Sequence, residues 1–217
     1  MNSKVKKIVF LVSGNGGSLK FLNEAIRQNS LPLQIVAAIA DRECGAVEYA
    51  RKEHMPVTVI KYSRNQPAEL QNELSKYSPD IIITNIHKII DTHTLSLFCG
   101  RFINLHYSLL PAFSGLIGME TVAQAHQRNV RFIGATCHMV TEGVDEGSIL
   151  TQGCFSVDWS ENWDTIIDTV FKTACLCLLS GIFQLINEDQ LLPLKIMTIN
   201  SHNVMFSPSI DFDNILK

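Results

Sequence analysis

The chain lacks any excess of charge: 18 Lys and Arg stand against 21 Asp and Glu in 217 residues, a formal net charge of −3. A protein that grips a phosphate backbone needs a basic face, so nucleic acid is not an expected partner. The 6 cysteines form no Cys-x-x-Cys pair. Cys44, Cys99, Cys137, Cys154, Cys175 and Cys177 lie mostly in apolar runs, the pattern of buried free thiols in a reducing compartment. On a helix Cys175 and Cys177 point to different faces, which argues against a metal clip. His54, His87, His93, His126 and His202 show no ligand spacing either, so no metal is expected. No stretch reaches the roughly eighteen clean apolar residues of a membrane span. The basic start resembles a signal peptide's, but its apolar run, Ile8 to Val12, is too short and stops at Ser13-Gly14. Repeats, low-complexity tracts and linkers are missing as well. The expectation is a cytoplasmic, soluble, single-domain protein with no membrane partner, whose 46% of hydrophobic residues suffice for one sizeable core.

What is present is an alternation. Apolar, β-branched runs predict strands over 7–12, 34–40, 57–60, 80–84 and 102–106. Amphipathic segments predict helices over 19–28, 44–54, 67–77 and 91–99. Continuous apolar strands alternating with helices imply a parallel sheet covered on both faces, a doubly wound α/β half. The second half changes character. Residues 134–140 and 148–156 read as an antiparallel pair at one edge, joined by a glycine-rich turn. Ser160 is the expected N-cap of a long helix whose Trp163, Ile166, Ile167, Val170, Phe171, Ala174, Leu178 and Ile182 recur at helical spacing. From Ile199 onward no clear period is visible. One domain over 1–217 is the economical division, with halves 1–106 and 107–198 and a tail 199–217.

A few residues suit chemistry. Gly14, Asn15, Gly16, Gly17 and Ser18 follow the first strand and open the first helix, where backbone N–H groups and the helix terminus favour an anion. A tight turn without ligand reads the same. The segment is not a GxxxxGK[ST] loop, and Leu19 replaces the third glycine of GxGxxG. Asn104 and His106 leave one face at the carboxyl end of the strand over 102–106, the end where α/β proteins bind ligands. An amide beside an imidazole suits acyl transfer, the amide donating to an oxyanion while the imidazole moves protons. A structural histidine bonded to a carbonyl would look identical. Asp145 lies in the turn Gly143-Val144-Asp145-Glu146-Gly147, where turn aspartates are commonly satisfied by backbone. Glu146 offers the same chemistry, and His138 on the preceding strand fits either core or a supporting role.

In this order the pieces resemble the folate-dependent formyltransferase family. Ser13-Gly14-Asn15-Gly16 is similar to its phosphate loop. Asn104-Leu-His106-Tyr-Ser108-Leu-Leu-Pro111 resembles its Asn-x-His-x-Ser-Leu-Leu-Pro signature. Gly134-Ala-Thr136-x-His138-x-Val140-Thr141-x-x-Val144-Asp145-x-Gly147 resembles its second signature, including the histidine-to-aspartate spacing. The resemblance covers roughly residues 7–185 and is closest to members acting on glycinamide ribonucleotide.

The resemblance implies a Rossmann-like formyltransferase fold and transfer of a formyl group from 10-formyltetrahydrofolate, without metal, to the amine of a phosphorylated acceptor in purine biosynthesis. Partners would be these small molecules, the chain being monomer or homodimer. It assigns Asn104 to the oxyanion, His106 to proton transfer and Asp145 to orienting the imidazole, with His138 and Ser108 in support. Backbone around Lys88, Ile89 and Ile90 and around Val140, Thr141, Glu142, Gly143 and Val144 would hold the folate ring. The loop over 14–18 would hold the acceptor phosphate. Two departures concern the acceptor. The usual Ala-Gly-aromatic-Met-Arg loop is Asn85-Ile86-His87-Lys88 here, one residue shorter. Lys172 stands where a glutamate usually meets the acceptor's ribose, and a lysine has donors but no acceptor. Formylation of another amine, such as a nucleotide-linked amino sugar, therefore stays open. So do a dehydrogenase-like protein in which Asp41 reads a ribose and a non-catalytic binding module.

Overall fold

The computed structural model describes residues 4–186 and 191–216. They divide into two compact units, one running up to Ile103 and taking in Ile215, the other spanning Asn104–Asn214.

The first unit alternates strand and helix: β1 (Lys6–Val12), α1 (Gly17–Asn29), β2 (Leu33–Ala40), α2 (Gly45–Lys52), β3 (Val57–Val59), α3 (Ala68–Tyr77), β4 (Ile81–Asn85), α4 (Thr92–Leu97) and the start of β5 (Phe102–His106). The strands run parallel in the order β3-β2-β1-β4-β5. Ile8, Val9, Phe10 and Leu11 are all fully buried. A central parallel strand has helices on both faces and hence no polar side, which is why it reads as an unbroken apolar run. The chain moves outward from β1 to β2 and β3, then returns to β4 on the other flank of β1. Val12 at the end of β1 registers with Asn85 at the end of β4. The carboxyl ends of these neighbours form the topological switch point, where α/β sheets open a crevice.

The second unit holds α5 (Glu120–Gln127), β6 (Phe132–Met139), β7 (Ile149–Ser156), α6 (Trp163–Ile186), β8 (Leu191–Leu192), β9 (Lys195–Ile199), β10 (His202–Ser207), β11 (Ser209–Ile210) and α7, which begins at Phe212. β6 and β7 are the expected antiparallel pair. The sheet continues beyond them, antiparallel, in the order β6-β7-β10-β9. As far as residue 216 the segment without clear period forms regular structure: Val204 and Phe206 are buried on β10, a period of two too brief to register in sequence.

Two expectations for α6 are corrected. Its cap is Asn162, whose Oδ1 accepts from the backbone N–H of Asp164 and Thr165, whereas Ser160 donates to Asp158 in the preceding turn. α6 also is long and apolar enough to cross a membrane by length and composition. Since 78% of its most apolar window is buried within the structure, it serves as a core helix. Ile166, Val170, Ala174, Leu178 and Ile182 are buried along it as their spacing requires.

Candidate active site

Asn104 and His106 end β5 with Leu105 between them, and they meet His138 from the end of β6 and Asp145 from the turn before β7. His106 and His138 are buried, and only 9% of the Asp145 side chain is exposed. Asp145 has φ 58, the left-handed region that aspartate tolerates better than most residues. One carboxylate oxygen lies 3.4 Å from His106 Nδ1 and the other 3.6 Å from His138 Nε2. The backbone N–H of Gly115 donates to the first at 2.8 Å. Gly147 closes this turn because a Cβ there would stand 1.7 Å from the Met139 carbonyl oxygen. That carbonyl also lies 2.8 Å from His138 Nδ1, so Nδ1 carries a hydrogen. In the neutral ring His138 Nε2 is then an acceptor, and it takes one amide hydrogen of Asn104 at 3.4 Å. The second amide hydrogen of Asn104 is left for another acceptor.

His106 stands between two acceptors, Asp145 at Nδ1 and the Phe113 carbonyl at 3.1 Å from Nε2. A neutral imidazole satisfies one of them and an imidazolium both. Burial opposes the charged ring and holds the His106 pKa below its ordinary value, against the pull of Asp145 and Phe113. Burial likewise opposes the Asp145 carboxylate, but the Gly115 N–H and the charge that the His138 and His106 rings carry when protonated outweigh it and lower its pKa. At neutral pH the pair is therefore a neutral imidazole beside a carboxylate, ready to take up a proton and to stabilise the result. Glu146, the other acid of the turn, is exposed and folds its carboxyl over Gly143. Ser108 is buried and ties its own loop: its hydroxyl donates to the Ala112 carbonyl, and its carbonyl accepts from Thr136 at 2.7 Å. Phe113 and Gly115 act here through backbone atoms, for which the sequence carries no signal.

The glycine loop lies in the first unit. Gly16 has φ 71 and precedes α1, and a Cβ on it would fall 2.8 Å from the Ala46 Cβ. Gly16→Ala is expected to destabilise by about 2–3 kcal/mol, lowering the melting temperature by about 4–12 °C. An unchanged melting curve would show that the loop is free to rearrange. Gly14 accepts from the Ala46 N–H at 3.0 Å, Asn15 is exposed, and Ser18 is buried. No acidic side chain occupies the first turn of α1, which leaves the positive end of the helix uncompensated. Asp41 accepts from Ser13 at 2.8 Å and from Arg42 at 2.7 and 3.1 Å, so both carboxylate oxygens are engaged. Burial works against its charge, but these donors lower its pKa. This engagement counts against a ribose-reading Asp41.

Lys88, Ile89 and Ile90 follow β4 in a loop fastened by Tyr62. The phenol oxygen accepts from the Asp91 N–H at 2.9 Å and lies 3.1 Å from the Ile89 carbonyl and 3.2 Å from the Asp91 carboxylate. Burial pushes the Tyr62 pKa up to about 12, so it stays a donor. Asp91 caps α4 by accepting from the Thr94 N–H at 2.8 Å. In the second unit Val140, Thr141, Glu142, Gly143 and Val144 form the turn after β6, with Ser114 donating to the Val144 carbonyl at 3.4 Å. Lys172 is half-exposed on α6, 2.7 Å from the Asp168 carboxylate and 3.3 Å from the Asn200 side-chain oxygen. None of Asn104, His106, His138 and Asp145 is among its described partners. Among the described residues no three His, Cys, Asp or Glu side chains gather as a metal site.

A doubly wound parallel sheet with antiparallel strands, bearing a buried amide–imidazole–carboxylate cluster at a strand's carboxyl end, defines a Rossmann-like protein equipped for acid–base group transfer. The family model described as formyl transferase matches residues 6–180, and the chain belongs to this family. Among curated relatives it is 31% identical over 182 residues to a phosphoribosylglycinamide formyltransferase of Mycobacterium tuberculosis, covering 81% of this chain and 83% of the relative. A chloroplastic phosphoribosylglycinamide formyltransferase of Arabidopsis thaliana is 32% identical, the match covering 70% of this chain and 56% of the relative. The chain thus spans about half the length of the plant relatives it matches. A formyltetrahydrofolate deformylase of Bacillus subtilis is 30% identical, with 76% of this chain and 55% of the relative covered. The crystal structure of a glycinamide ribonucleotide transformylase from Symbiobacterium toebii superposes with a TM-score of 0.78 at 27% identity, over 88% of this chain and 92% of that one.

Proposed function

We propose that this chain transfers the formyl group of 10-formyltetrahydrofolate to the primary amine of a phosphorylated acceptor, glycinamide ribonucleotide in purine biosynthesis, in the cytoplasm. The observation that carries the reading is His106, buried, 3.4 Å from the Asp145 carboxylate and beside Asn104, with burial favouring its neutral form. The acceptor amine attacks the formyl carbon, and the carbonyl oxygen becomes an oxyanion. Asn104 has an amide hydrogen left to donate to it once His138 has taken the other. His106 takes the proton from the attacking nitrogen, the ionised Asp145 stabilises the imidazolium, and the proton passes to the departing folate nitrogen. The new carbon–nitrogen bond forms first, the bond to the folate nitrogen breaks as the oxyanion collapses back to a carbonyl, and no covalent enzyme intermediate is needed. The loop of Gly14, Asn15, Gly16, Gly17 and Ser18 takes the acceptor phosphate. Backbone of Lys88, Ile89 and Ile90 and of the turn over 140–144 holds the folate ring.

The deformylases among the relatives favour a second reading, in which water replaces the amine and formate is released. The test is to incubate the protein with 10-formyltetrahydrofolate, with and without glycinamide ribonucleotide. Tetrahydrofolate produced only with the ribonucleotide, together with its formylated product, is the expected result. Formate release at the same rate without acceptor would sink the transfer reading. Activity confined to another amine would retain the chemistry and retire the pathway, a result that Lys172 makes worth a panel of acceptors.

A further inference from the structure

We infer that Asn85 is a positioning residue that aims the Ser18 hydroxyl at the acceptor's phosphate. The inference rests on the reading of the 14–18 loop as the phosphate site. Asn85 ends β4 at the switch point and brackets that loop from both sides. Its backbone carbonyl accepts from the Ser13 N–H at 3.1 Å, where the loop begins. Its side-chain Nδ2 donates to the Ser18 Oγ, where α1 begins. Ser18 is 3% exposed. A hydroxyl has one hydrogen to give and lone pairs to receive. Because Asn85 supplies a donor, the Ser18 oxygen is used as an acceptor and its own hydrogen is left over. Among the described residues nothing accepts that hydrogen. A buried donor without a partner is costly, and here it sits on the first turn of a helix that no acidic side chain compensates. An anion bound at the loop satisfies it.

The direction of the hydrogen bond is what the experiment reads. Asn85→Ala leaves the Ser18 hydroxyl free to turn, and the KM for glycinamide ribonucleotide is expected to rise by about three- to tenfold, the scale of one net hydrogen bond. The inhibition constant of inorganic phosphate rises in parallel, and the loss falls on KM rather than kcat. Asn85→Asp is nearly isosteric but only accepts, so it draws the Ser18 hydrogen to itself and adds a negative charge. It is expected to be worse than alanine, about tenfold or more in both constants. Ser18→Ala removes the donor, and adding Asn85→Ala to it costs nothing further. If Ser18→Ala weakens phosphate inhibition while both Asn85 variants behave as wild type, or if the two alanine effects multiply, the inference is overturned and the phosphate site stands. If Ser18→Ala leaves phosphate inhibition unchanged, the phosphate reading falls and takes the inference with it.

Discussion

Replacing His106 with alanine is expected to lower kcat/KM for formyl transfer by about 10²–10⁴-fold, the range that a positioned acid–base group contributes. The reason lies in proton balance. An amine that attacks a carbonyl becomes an ammonium and must lose a proton, while the departing folate nitrogen must gain one. His106 is the titratable group at the cluster whose neutral form is favoured, because burial holds its pKa below the ordinary histidine value. His106→Gln is the more telling partner variant. It keeps a polar side chain opposite Asp145 but cannot ferry a proton, so the loss should persist when the packing does not change. The wild-type rate is expected to fall on acidification as the ring becomes protonated, with an apparent pKa below the ordinary value. Steady-state kinetics across pH measures both. A His106→Gln enzyme with more than about a tenth of wild-type activity would remove His106 from the proton path.

The second large effect concerns Asp145. Asn is the informative replacement, since it tolerates the left-handed backbone that Asp145 adopts at φ 58 and can still accept from Gly115. It removes the charge and turns one acceptor oxygen into a donor, with the size of the side chain kept. Without that charge the imidazolium loses its counter-ion during proton transfer, and kcat is expected to fall by about 10²–10³-fold, within the acid–base range. The sign of the pH shift follows from the same cause. The Asp145 charge favours protonated His106, so its removal lowers the His106 pKa further and moves the acid limb of the residual activity to lower pH. A limb that stays in place or moves to higher pH would show that the carboxylate does not act through the imidazole. Wild-type activity in Asp145→Asn would dismiss its role altogether.

Much of the fold was legible because its signals are local. The run Ile8, Val9, Phe10 and Leu11 declares a strand buried on both faces, and the ends of β1, β2, β4 and β5 lie within a residue of their expected places. The helix α5 was not legible. Its 8 residues bury only Thr121, Val122 and Ala125, too little for a period to stand out. Nor was the cap of α6, because Ser160 and Asn162 are both competent caps and only the path of the chain chooses between them. The strand β10 joins β7 through residues far apart in sequence, which no local pattern records.

By itself the sequence determined the alternation of strand and helix, the parallel class of the first sheet and the set of polar groups able to do the chemistry. These follow from side-chain period and residue type, which neighbours along the chain decide. The resemblance singled out Asp145, but residue type alone left Glu146 equally able. The tertiary structure turns Asp145 toward His106 from a left-handed backbone, while the longer Glu146 side chain folds over Gly143. It also decided that Phe113 and Gly115 contribute through backbone atoms, that Asp41 is already engaged by Ser13 and Arg42, and that Asn85 reaches Ser18. Apart from the Asp41–Arg42 contact between neighbours, each of these is a hydrogen bond between residues that sequence separates, and its direction depends on which lone pair or hydrogen is left when the rest are satisfied.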